Sequence, residues 1–330
     1  MERIGITTTV PQEIIWAAGL VPVDLNNVFV GSERREGFLA RARRDGYPRT
    51  VCPWISGIYG AMREQDEIRR LVIVTQGDCS NTHALAETLE DAGVEIIPFA
   101  YPYDGDPKLL RGEMEHLAFK LGADWSDISR VYDELAPVRE KLRRLDELTW
   151  GENKVSGLEN HIWLVESSDF RGDIDNFTGE LDEKISEIES RKPLENTVRL
   201  GYIGVPPIFP GIYDRLEEMG ARVVFNEVQR QFSLPTASGF LADYADYTYP
   251  ASVFRRIEDI RAEIERRDID GILHYTQSFC FRQIEDLLFR RHLPVPILTV
   301  EGENSFELDE RIVARMEAFV RMLEGTVDAR

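Results

Sequence analysis

Three cysteines stand far apart in this chain, and each lies where a short turn gives way to a helical pattern. Cys79 closes Thr75-Gln-Gly-Asp-Cys79, after an apolar strand (Leu71 to Val74) and before a helix carried by Leu85 and Leu89. Ligands of open α/β sheets bind at that carboxyl edge. A thiol at the amino end of a helix is also favoured as the thiolate, the form that binds metal. Cys280 repeats the arrangement after the strand Gly271–Tyr275 and the turn Thr276-Gln-Ser-Phe279. Cys52 precedes Pro53, a helix-start signal, with Trp54, Ile55, Ile58 and Met62 as an apolar stripe behind it. The bland expectation for three thiols is burial along the inward faces of strands and helices. Their position at loop-to-helix junctions instead points to metal ligation. No closely spaced CxxC pair occurs, which disfavours structural zinc.

Two α/β halves are needed to position these thiols. Residues 3–8 read as a first strand, and Thr9-Val-Pro-Gln12 as a capping box opening a helix that runs to Gly19. Val21–Leu25 is a second strand, closed by Asn26-Asn27, and an arginine-faced helix runs from Ser32 to Asp45. The helix after Cys52, the strand and helix around Cys79, and a strand Val94–Pro98 closed by its proline complete the first half. Residues 107–148 read as two helices broken near Gly122–Ser126, and a third runs from about Ser168 to Glu189. The second half has strands at Val198–Ile203, Val223–Phe225, Gly271–Tyr275 and Val295–Val300, a turn Glu301–Asn304, and a last helix to Leu323. Helices at Gly211–Met219, Ser252–Arg267 and from Cys280 to His292 alternate with them. This alternation predicts two parallel-sheet domains. Residues 1–193 carry Cys52 and Cys79 and residues 194–330 carry Cys280, with the thiols expected to face one another across an interdomain cleft.

Composition narrows the function. The chain has 330 residues, 43% apolar and 30% charged, enough for two cored domains. A formal net charge of -20 argues against nucleic acid or an anionic membrane as partner. No basic and apolar leader opens the sequence and no apolar stretch is long enough to span a bilayer. The expected compartment is the cytoplasm, where thiols stay reduced. Neither GxGxxG nor GxxxxGK[ST] occurs, so a dinucleotide fingerprint or P-loop is not expected.

The chain resembles the 2-hydroxyacyl-CoA dehydratase component D / benzoyl-CoA reductase family of iron–sulfur proteins. The matching pieces are Val10-Pro-Gln-Glu-Ile-Ile15, Ala17-Ala-Gly19 and Pro22-Val23; Cys52; Thr75-Gln-Gly-Asp-Cys79; and Asp270-Gly-Ile-Leu273, Cys280, Leu293-Pro-Val-Pro-Ile-Leu298 and Glu301. The resemblance implies two flavodoxin-like, doubly wound domains with extra helices. It also implies a [4Fe–4S] cluster on Cys52, Cys79 and Cys280 at their cleft, with one iron left without a protein sulfur. By the same resemblance the cluster passes one electron to a CoA thioester, giving a ketyl radical that dehydrates or is reduced. An ATP-dependent iron–sulfur activator supplies the electron, and the protein works as a homodimer or paired with a related subunit. One departure is that Asp78 precedes the second cysteine and Ser80 follows it, where family members often have Asp after the cysteine. The alternatives are a cluster-dependent reductase of a non-CoA small molecule and a metal-free two-domain sensor.

Other candidates cluster near the same edges. Thr8, Thr9 and Glu13 lie where the first strand meets its helix. The resemblance gives a hydroxyl there, Thr9, contact with the ligand on the open iron; helix capping is the plainer role. Gln76, Asp78 and Ser80 flank Cys79 and could hydrogen-bond cluster sulfides, or satisfy turn amides. His274 could donate a proton to a departing hydroxyl, or be a satisfied strand histidine; His83, one helical turn after Cys79, is weighed the same way. Arg34, Arg35, Arg41, Arg43, Arg44 and Arg49 could meet coenzyme A phosphates or an acidic activator face, against a solvated helix face.

Overall fold

The computed structural model describes residues 1–303 and 305–327, except the side chains of 326 and 327. The first half runs β1 (Glu2–Ile6), α1 (Gln12–Ala17), β2 (Leu20–Asp24), α2 (Leu25–Gly31), α3 (Arg35–Arg44), α4 (Pro53–Arg63), β3 (Arg70–Gln76), α5 (Thr82–Asp91) and β4 (Glu95–Ala100). Four helices follow: α6 (Pro107–Leu121), α7 (Trp125–Trp150), α8 (Gly157–Val165) and α9 (Ile174–Glu189). The second half runs β5 (Val198–Gly204), α10 (Ile212–Glu218), β6 (Ala221–Asn226), α11 (Glu227–Phe232), α12 (Phe240–Ala245), α13 (Val253–Arg266), β7 (Gly271–Gln277), α14 (Asp286–His292), β8 (Ile297–Gly302) and α15 (Glu310–Val327).

The strands form two four-stranded sheets, ordered β2-β1-β3-β4 and β6-β5-β7-β8, and every pairing is parallel. Both are therefore doubly wound, and the α/β class with flavodoxin-like sheets holds. The winding reverses between β1 and β3 and again between β5 and β7. Those switch points are where crevices open beyond the carboxyl ends of the strands. β6 and β7 are buried along their whole length. That is why their middles read as consecutive apolar residues, Val223 to Phe225 and Ile272 with Leu273, rather than alternating ones.

The chain divides into two compact units of three segments each. One comprises Met1–Arg139, Glu166–Phe177 and Leu234–Ser252; the other comprises Glu140–Val165, Thr178–Ser233 and Val253–Arg330. The first sheet lies within residues 1–193 and the second within 194–330. In the first unit, α4 packs Ile55, Ile58 and Tyr59 on Leu71 and Ile73 of β3 and Leu85 and Leu89 of α5. In the second, Ile257 and Ile260 of α13 and Phe289 of α14 close on Ile203, Phe225 and Ile272. Each such buried side chain contributes about 1.5–3 kcal/mol by leaving water.

Several local expectations are corrected. Pro98 lies inside β4, paired with Ile73, rather than closing it; β4 is an edge strand, where a missing N–H is tolerated. Asn26 and Asn27 belong to α2, because Asp24 caps that helix by accepting from Asn26 N. The helix expected from Ser168 begins at Ile174, since residues 166–172 form two short 3-10 turns. β8 extends through Glu301 and Gly302, and Asn304 lies outside the described residues. Helices α8, α11 and α12 were not anticipated.

Candidate functional site at the carboxyl edges of the sheets

In the first unit the switch point is bounded by residues 7–9 after β1 and 77–79 after β3. Gly77 makes the turn at φ +99, where a Cβ would lie 2.6 Å from Pro250 Cβ, so the close approach requires glycine. Thr82 N and Oγ1 both donate to the Cys79 carbonyl and fix the turn ahead of α5. Cys52 is the N-cap of α4, with Pro53 at the first helical position. It is 5% exposed and belongs to the apolar cluster against which half-buried Cys79 packs. The two cysteines therefore belong to the same apolar cluster.

Thr9 does not cap α1. Pro11 takes the N-cap position with no side-chain cap, and Gln12, the far end of the expected box, donates instead to Ser167 O at 3.0 Å. The Thr9 hydroxyl is left buried with no hydrogen-bond partner among the described residues. Such a group costs about 1–3 kcal/mol unless something else satisfies it. Glu13 is fully buried and ion-paired at 2.7 Å with Arg139, while Tyr244 Oη donates to its other oxygen at 2.7 Å. Gln76 Nε2 donates to Tyr101 O at the end of β4. Ser80 and His83 are exposed beside Cys79. In the basic cluster, Arg34 and Arg41 pair with Glu64 and Asp45, and Arg43, Arg44 and Arg49 are exposed.

The same edge carries a buried carboxyl pair that the sequence did not flag. Asp169 Oδ2 accepts from Asp24 N at 2.8 Å, and Asp24 in turn accepts from Ser168 Oγ at 2.7 Å. Burial first, and then the neighbouring Asp24 charge, push Asp169 up to about 7; burial also raises Asp24.

In the second unit a small cavity opens at the β5/β7 switch point, lined by Gly204, Arg256, His274, Gln277, Cys280 and Arg282 among others. Arg256 holds Glu227 through both of its oxygens, at 2.7 and 2.8 Å, and Glu227 accepts from Gly204 N at 3.0 Å. Burial alone would raise Glu227; the Arg256 charge together with the hydrogen bonds from Arg256 and Gly204 N outweighs it and lowers the pKa. Arg256 also pairs with Glu285, so its charge is neutralised on two sides. His274 is 2% exposed and its Nδ1 lies 2.7 Å from Asp286 Oδ1. Gln277 Nε2 donates to Gly302 O at 2.7 Å and to Glu303 O at 3.0 Å.

The two edges repeat each other. Thr75-Gln76-Gly-Asp-Cys79 and Thr276-Gln277-Ser-Phe-Cys280 hold the same places after β3 and β7, and in each the glutamine amide ties down the end of the neighbouring strand. The repeat was visible in the sequence and would have flagged Gln277. Asp286, Glu227 and Arg256 had no comparable signal. Among the described residues no group of three or more His, Cys, Asp or Glu side chains is placed to hold a metal ion. Among them, too, no helix is long and apolar enough to cross a membrane.

Doubly wound parallel sheets with a thiol after the third strand of each define a two-unit α/β protein, of a class whose members bind ligands at such switch points. The chain belongs to the 2-hydroxyglutaryl-CoA dehydratase, D-component family, whose model it matches over residues 7–323. It is thus a dehydratase-type enzyme subunit, a lyase by class, and a D-component implies assembly with other subunits. No curated protein matches the chain.

Proposed function

We propose that the protein is a subunit of a radical 2-hydroxyacyl-CoA dehydratase in which Cys52, Cys79 and Cys280 hold a [4Fe–4S] cluster. The observation that carries this reading is the repeated placement of Cys79 and Cys280 after equivalent strands, inside a family match that spans all three cysteines. The donor set suits the group: three thiols at sheet edges serve three irons and leave one open to a ligand. When bound, such a cluster supplies one low-potential electron to a thioester carbonyl.

The chain's own residues then have separable tasks. The Thr9 hydroxyl, buried beside β1 without a partner, is a donor for a ligand oxygen. His274 delivers a proton at the second edge. Ser80 and Gln76 lie beside Cys79 and would be the groups to hydrogen-bond cluster sulfur there. Glu13, a catalytic candidate at the same edge, has its charge met by Arg139, which holds it in place at the start of α1. An ATP-dependent iron–sulfur activator delivers the electron, and the working enzyme is a homodimer or a pair with a related subunit.

The test is an anaerobic assay with an ATP-driven one-electron donor and a panel of 2-hydroxyacyl-CoA thioesters. Formation of 2-enoyl-CoA is expected. Turnover confined to small molecules without CoA would replace the dehydratase by a reductase. Ligand-induced closure of iron-free protein without turnover would replace it by a sensor.

A further inference from the structure

The second edge holds a polar pair, buried His274 and half-buried Asp286, that the architecture does not require. At the constant offset that relates Cys79 to Cys280, His274 corresponds to Ile73 and Asp286 to Leu85. Ile73 and Leu85 are fully buried members of one apolar cluster. The first unit therefore fills these two places with apolar side chains, so the fold does not need a polar pair there.

The geometry around the pair is specific. Thr299 Oγ1 and Arg290 Nε donate to the two oxygens of Asp286, at 2.5 and 2.6 Å. Burial alone would raise this carboxyl. The hydrogen bonds from His274, Thr299 and Arg290 outweigh burial and hold it well below the usual carboxylate range. An ionised carboxylate only accepts, so His274 Nδ1 carries the proton between them. Nε2 is then the ring nitrogen with no hydrogen bond to the described residues. Phe289 packs edge-on to the ring at 5.1 Å and fixes its plane.

Gly204 keeps space beside that edge of the ring. A Cβ there would lie 3.3 Å from His274 Cδ2, the atom next to Nε2, and 2.2 Å from Tyr275 O. Gly204 and His274 line the same cavity as Cys280, with room for about one water molecule.

We propose that His274 is the proton donor of this water-sized cavity, acting at Nε2, and that Asp286 is its positioning residue. The proposal rests on the dehydratase reading for the acceptor. The departing substrate hydroxyl keeps the C–O bond pair, takes the Nε2 proton and leaves as water, and neutral imidazole regains a proton from solvent. The charged groups around the ring are Asp286 and Arg290 on α14, Glu227 on α11, Arg256 on α13, and Arg282 and Glu285 in the 3-10 turn before α14. Arg256 is balanced by Glu227 and Glu285, and Arg282 pairs with Glu285.

Two measurements test it in the full chain. The first follows the side-chain nitrogens of 15N-histidine-labelled protein against pH, with His274 assigned among the five histidines through His274→Gln. His274 is expected to carry a proton on Nδ1 in the wild type and to lose that preference in Asp286→Asn. A wild-type ring with its proton on Nε2 and none on Nδ1 overturns the proposal, whatever reaction the enzyme performs. The second compares turnover of the anaerobic enzyme with a double variant, His274→Ile with Asp286→Leu, that copies the first unit's pair. An unchanged or higher melting temperature, unchanged iron content and a loss of about 10²–10⁴-fold in kcat are expected. Undiminished turnover with an unaltered pH profile overturns the proposal. An inactive wild type whose His274 still carries the Nδ1 proton facing Asp286 would count against the dehydratase reading and leave the dyad standing.

Discussion

Asp24 and Asp169 show how two buried carboxyls set a pH dependence at one edge of the first unit. Asp169 is raised to about 7 from an ordinary value of 3.8, so the folded chain holds a proton that the unfolded chain has released. Stability from this group is therefore full below about 3.8, falls as pH rises through that window, and stays lowest above about 7. Asp24→Asn removes the like charge and keeps both the cap to Asn26 N and a hydrogen bond to Ser168. It should raise the melting temperature by about 2 °C at pH 8, and by less at pH 5. Equal changes at the two pH values would mean that the Asp24 charge is not what Asp169 responds to. Gly204 makes a second prediction at this scale. With φ +95 and the Tyr275 carbonyl in the way of a Cβ, Gly204→Ala should cost more than about 2 kcal/mol by urea titration.

At the scale of elements, the long helix α7 is tied into the second unit through its last turns. Arg267, fully buried after α13, holds Asp146 of α7 through both oxygens, reaches Val224 O of β6, and pairs with Glu263. Arg267→Ala leaves the Asp146 carboxylate without its ion-pair partner and Glu263 with only Arg266 and Arg230, and should cost about 3–5 kcal/mol by chemical denaturation. A loss below about 1 kcal/mol would show that water replaces the arginine at no strain. Strands β3, β6 and β7 were legible in the sequence because burial on both faces leaves each a consecutive apolar stretch, Leu71 to Val74, Val223 to Phe225 and Ile272 with Leu273. Cys52, Cys79 and Cys280 could be placed at helix starts because those runs, and Pro53, fix where each turn must fall. What the sequence hid depends on packing between elements. The capping box at Thr9 failed because Pro11 took the N-cap, and Asp286 gains its meaning only when α14 is laid against β7. Pro98 misled because a proline looks like a strand end until the strand is known to be an edge.

For the whole molecule, the family match and the two like-wound sheets make one account of three distant thiols. The repeated Thr-Gln-x-x-Cys turn gives each sheet a cysteine at its switch point, and Cys52 adds a second thiol to the first unit. The most direct measurement is iron and acid-labile sulfide per chain, with electron paramagnetic resonance of the reduced state, on anaerobically purified wild type and the three single Cys→Ser variants. About four irons and four sulfides per chain are expected in the wild type, with a marked loss in Cys52→Ser, Cys79→Ser and Cys280→Ser alike. A colourless, iron-free wild type, or a full complement of iron in any one of the three variants, would contradict the assignment.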